Sequence, residues 1–136
     1  MGTTTASRFP AAFLFLNGVF WVAYALFCLF QPDFIHGLLA LSPSPASLTE
    51  FGAMYGGAQF GLGVYWITTA LQKNRTECGL LSFVLLTGSL ATARAIGLFL
   101  NGPDDYNNFG FAYEFPAMLI GIFCLIKARQ QPTSKA

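Results

Sequence analysis

The chain has 136 residues, of which 54% are apolar and only 10% charged, with a net charge of +1 and 15 phenylalanines. One domain is expected at this length. With so far below the usual ~25% charged residues, the outer surface cannot be made polar and must face lipid. The charge balance offers nothing to a nucleic-acid partner. Three scattered cysteines (Cys28, Cys78, Cys124) and one histidine (His36), with no CxxC or HxxxH spacing, give no metal site. No cofactor motif is present.

A polar start leads to Pro10, which suits a first helical turn. From Pro10 to Phe30 run 21 residues without a charge, long enough to cross a hydrocarbon core of about 30 Å. The run exceeds a signal-peptide h-region and lacks an A-x-A site, so it reads as a retained first helix over 10–30. Asn17 and Trp21, one turn apart, are its polar features. Residues 31–49 read as a loop holding Pro32, Pro43 and Pro45. Within it His36 is either a residue of a pocket mouth or a solvated interfacial histidine.

The second helix, over 50–72, is the stretch around which the rest is organised. It opens on Glu50, carries Tyr55 and Gln59, and holds five glycines, with small-xxx-small spacings at Gly52–Gly56 and Gly57–Gly61. In lipid, close backbone approach at small residues is a main source of helix packing, so these faces suit neighbouring helices or a homo-oligomer. Lys73 to Glu77 is a polar turn. A third helix over 78–100 contains Arg94. The loop 101–109 is rich in turn residues. A fourth helix over 110–126 contains Glu114, with Tyr113 beside it and Pro116 in its first turns.

Four spans place Arg8, Lys73, Arg75, Lys127, Arg129 and Lys135 on one side, while the loops 31–49 and 101–109 contain no Lys or Arg. By the positive-inside rule both termini are cytoplasmic. The expectation is an all-α, integral membrane four-helix bundle formed by residues 1–136. Its membrane is a bacterial inner membrane or an endoplasmic reticulum.

The seventh basic residue, Arg94, falls within a span, where charges are costly and mark pairing or function. Topology and helix rise put Arg94 roughly 9 Å and Glu114 roughly 6 Å below the boundary at which Glu50 sits. Glu50, Arg94 and Glu114 are therefore expected to meet as catalytic residues, with Tyr55, Gln59, Tyr113, Asn17, Trp21 and His36 as substrate contacts and Asn107 or Asn108 at similar depth.

Three readings follow. Arg94 can be an ion-pair staple, although one carboxylate would suffice for that. The set can be a cofactor-independent enzyme, with one carboxylate as general base and the other as general acid, acting on a lipophilic substrate. Epoxide hydrolysis or epoxide-opening cyclisation is the leading reaction and double-bond isomerisation the next. Limonene epoxide hydrolases use an Asp-Arg-Asp set, a likeness of chemistry only. Or the chain can be an accessory subunit that binds lipid.

The run from Glu50 through Tyr55 to Gly57, then Gln59 and Gly61-Leu62-Gly63, then Ala93-Arg94-Ala95-Ile96-Gly97 and Glu114 resembles the small four-helix membrane proteins related to the DoxX-like group. The resemblance implies the four-helix fold and singles out Glu50, Arg94 and Glu114. It implies no particular reaction.

Overall fold

In a computed structural model, which describes residues 8–38 and 44–130, the described residues are almost entirely helical and include no strand. Lys135 and residues 39–43 of the expected first loop lie outside these. The helices are α1 (Phe9–Phe30), α2 (Pro32–Leu38), α3 (Pro45–Phe51), α4 (Gln59–Leu71), α5 (Thr76–Asn101) and α6 (Asp105–Arg129). Between α3 and α4 the segment Gly52–Ala58 is π-helical, so residues 45–71 form one helical rod with a wide turn in it. Helices α1, α5 and α6 are each long and apolar enough to cross a membrane.

The ends follow from local chemistry. Pro10 sits in the first turn of α1, where its missing N–H costs nothing. Ser44 caps α3 through a capping box with Ser47, and Pro45 follows it. Gly102 stops α5 with φ 90°, a left-handed conformation that favours glycine. After Pro103, Asp104 accepts a hydrogen bond from the Asn107 N–H and caps α6.

Two expectations are corrected here. The fourth helix begins at Asp105 rather than near 110, so the loop shrinks to residues 102–104. Pro116 is consequently interior to α6, where it leaves the Ala112 carbonyl without its usual donor. The loop expected over 31–49 contains α2 and the start of α3.

The long helices run antiparallel in chain order. Helix α1 packs along α4 and the π-helical segment, and α5 packs along α6. The α1–α4 approach is closest at Gly18 and Gly63, where a Cβ on either residue would stand 2.8 Å from the other's carbonyl oxygen. A Cβ on Gly56 would overlap Leu29 of α1. By contrast Gly57 and Gly61 are exposed, and Gly61 has no neighbour in reach of a Cβ. The Gly52–Gly56 spacing thus faces α1, whereas the Gly57–Gly61 spacing packs against no other helix among the described residues.

At the centre the ring of Trp66 meets Trp21 at 5.0 Å and Phe83 at 4.9 Å, both edge to face, a favoured aromatic geometry. Outside, Phe99 is 88% and Leu85 62% exposed, as a lipid-facing surface requires. Arg8, Lys73, Arg75, Lys127 and Arg129 gather at one end, where Arg129 Nε donates to Glu77 at 2.9 Å. The other end carries Asp33, Glu50, Asp104 and Asp105. We call these the basic and acidic ends.

Candidate functional site

Near the acidic end, α5 and α6 bring Arg94 and Glu114 together. Arg94 Nε donates to both carboxylate oxygens of Glu114, at 3.0 Å to Oε1 and 2.8 Å to Oε2. Its Nη1 donates to Asn107 Oδ1 at 2.7 Å. Asn107 Nδ2 in turn donates to Asp104 Oδ2 at 2.7 Å. A chain Glu114–Arg94–Asn107–Asp104 therefore fixes the guanidinium, with a carboxylate at each end. Charge-assisted bonds of this kind are the strong ones.

Two further residues set the arginine's position. Its Cζ lies 5.2 Å from the centre of the Tyr106 ring, within cation–π range. Gly110 of α6 supplies the space beside it, since a Cβ there would be 2.5 Å from Arg94 Cζ. The Tyr106 hydroxyl is 3.5 Å from that of Tyr24 on α1. A cleft of about 380 Å³ opens here, lined by Tyr55, Leu90, Arg94, Asp104, Tyr106 and Asn107 among others. The side chain of Glu114 is 6% exposed and that of Arg94 19%. The carboxylate is sealed into the bundle while the arginine borders the cleft.

Of a guanidinium's five N–H groups, Glu114 and Asn107 take Nε and one on Nη1. Arg94 also lies over the Tyr106 ring and lines the cleft. Such an arrangement offers fixed donors to an oxygen acceptor on a ligand. Asp104 is the ionisable group outside the apolar layer. The Asn107 backbone N–H and then its side-chain amide hold the Asp104 carboxyl below the usual carboxylate range.

Glu50 does not join this cluster. It is exposed, and its neighbour Phe51 turns inward at 5% exposure. Tyr55 lines the cleft, stacked on Phe51 at 4.5 Å. Gln59 is half-buried and outside the lining. Asn17, Trp21 and Tyr113 bond to one another: the Trp21 indole donates to the Tyr113 hydroxyl at 3.1 Å, and Tyr113 donates to Asn17 Oδ1 at 2.9 Å. The Asn17 amide donates to the Phe13 carbonyl at 2.8 Å. This network ties α1 to α6 and does not border the cleft. His36 is buried at 2% exposure against the Phe51 ring, with neither nitrogen bonded to a described residue, and it is not in the lining of the cleft.

Four residues of the site were not among the expected ones: Tyr24, Asp104, Tyr106 and Gly110. A signal existed for three of them. Asp104 three residues before Asn107 is an N-cap pattern, and starting α6 there places Tyr106, Asn107 and Gly110 on its first turns.

A family model described as a domain of unknown function (DUF4345) matches residues 9–127. No curated protein and no solved structure matches the chain.

Proposed function

The chain belongs to the DUF4345 family, and we propose that it is a multi-pass membrane protein that binds a lipophilic small molecule by an oxygen-bearing end placed against Arg94. The observation that carries this is the asymmetry of the ion pair. Glu114 is sealed while Arg94 borders the cleft with Tyr55 and Tyr106. Partial exposure alone would also suit a staple, since it lowers the desolvation cost of the pair, but the exposed side of Arg94 faces a recess walled by Tyr55, Leu90 and Tyr106 rather than open surface. A ligand site has this form, because a few placed donors in a largely apolar recess fix a ligand's orientation.

In this reading the four rods span the membrane and both termini are cytoplasmic, which the basic end supports. The membrane is a bacterial inner membrane or an endoplasmic reticulum. Kinship with the DoxX-like group and association of a second copy through the exposed Gly57–Gly61 face belong to the same proposal.

Enzymatic turnover is the second reading, and Asp104 favours it. This carboxylate borders the cleft and reaches Arg94 through Asn107, so it can take the part expected of Glu50. For an epoxide, Asp104 would accept a proton from the attacking water as the new C–O bond forms. The epoxide C–O bond would break toward oxygen, which Arg94 would stabilise until it gains a proton from solvent. Double-bond isomerisation would use the same base.

Native mass spectrometry of the detergent-solubilised chain, incubated with long-chain ketones, alcohols and epoxides, tests both readings. Retained adducts support binding, and a product one water heavier than the epoxide supports turnover. Neither adduct nor product with any of them would defeat the proposal.

A further inference from the structure

Resting on the ligand-binding reading, we infer that the ligand's oxygen-bearing end is uncharged, and that Asp104 is the residue that keeps anionic amphiphiles out of the cleft. An arginine in a membrane cleft suggests at first a carboxylate or phosphate ligand. The charges around Arg94 argue otherwise. Its positive charge is already met by Glu114 at 2.8 Å. A second carboxylate, Asp104, lines the same cleft. One guanidinium and two carboxylates leave the site with a net negative charge.

The wider surface has the same sign. Asp33, Glu50, Asp104 and Asp105 lie at the acidic end, and among the described residues Arg94 is the one Lys or Arg there. An approaching anion meets this field before it meets Arg94. Asp104 stays ionised at neutral pH because Asn107 donates to it twice, from its backbone at 2.9 Å and from its amide at 2.7 Å.

Hydrogen bonding remains available where Coulomb attraction does not. The part of the guanidinium facing the cleft, with Tyr55 and Tyr106, suits a neutral acceptor such as a ketone, ester, ether or epoxide oxygen. The aliphatic remainder of the ligand would lie against Leu90 and Ala93.

The test uses the full chain in zwitterionic nanodiscs at neutral pH, with calorimetric titration of a long-chain methyl ketone and of the carboxylate and primary amine of equal chain length. The ketone is expected to bind, and the carboxylate on the order of tenfold more weakly or not at all, as one uncompensated like charge at partly screened distance implies. Asp104→Asn keeps an N-cap residue for α6 and is expected to raise the ratio of carboxylate to ketone affinity on the order of tenfold, whatever it does to ketone affinity itself, its fold checked by thermal unfolding. A carboxylate that binds the parent as tightly as the ketone, or an amine that binds it more tightly than the ketone, overturns the inference, as does discrimination unchanged in Asp104→Asn. If none of the three binds the parent, the ligand-binding proposal itself falls, and the inference with it.

Discussion

The guanidinium of Arg94 lies against the backbone of Gly110, so closely that a Cβ at that position would be 2.5 Å from Cζ, 2.6 Å from Nε and 2.9 Å from Nη1. The glycine is therefore part of the site, as the recess that lets α6 hold the arginine between Glu114 and Asn107. Gly110→Ala is expected to displace the side chain and cost about 1–3 kcal/mol, the range for overpacking. At Gly97 on α5 a Cβ would meet nothing within 4 Å, and there alanine is expected to be neutral or to stabilise by up to about 1 kcal/mol through helix propensity. Thermal unfolding of the two variants in one detergent checks the contrast.

The ion pair and the free carboxylate are separable by mutation. Glu114→Gln leaves a partly buried guanidinium uncompensated, and a loss near the lower end of roughly 3–5 kcal/mol is expected, since Arg94 retains 19% exposure. Glu50→Gln, exposed and outside the cluster, is expected to stay within about 0.5 kcal/mol of the parent. Comparable losses in both variants, read by chemical denaturation, would return Glu50 to the site.

Acid should weaken the start of α6 through Asp104. Its carboxyl is held below the usual range in the folded chain by Asn107, so its contribution is present above the unfolded-state value of about 3.9. It is lost as pH falls through the lower folded-state value. Asp104→Asn cannot titrate and is expected to show a shallower decline of the thermal midpoint over roughly pH 5 to 2. Parallel acid limbs in parent and variant would show that the cap does not couple to stability.

Close contact between α1 and α4 depends on two glycines. Each of Gly18 and Gly63 would place a Cβ 2.8 Å from the other's carbonyl oxygen, so Gly18→Val must push the helices apart. The expected cost is about 1–3 kcal/mol or more. Gly61→Val, on the exposed face, is expected to leave the monomer's unfolding unchanged to within about 0.5 kcal/mol.

Much of this arrangement is legible in the sequence, because apolar runs of span length and the placement of Lys and Arg need only counting. Depth was equally accessible: rise per residue puts Arg94 and Glu114 at matching heights, and they pair. Azimuth separates Glu50 from the other two. On an α-helix, residues five and nine apart lie about 140° and about 180° away around the axis, so Glu50 does not share a face with Tyr55 and Gln59. The wide turn at Gly52–Ala58 alters that phase, yet Phe51 rather than Glu50 turns inward. A π-helical turn leaves no periodic signal in a run as glycine-rich as this one. Tyr24 carried no signal either, since its role depends on a contact with Tyr106 across 82 residues.

The most direct test of the site is to remove both charges together. Replacing a buried ion pair with apolar residues of similar volume is often neutral or stabilising, so Arg94→Met combined with Glu114→Leu is expected to keep the parent's thermal midpoint. In the same sample, titration with the long-chain methyl ketone should show binding lost. A double variant that folds and binds the ketone as the parent does would make the pair a staple and contradict the account.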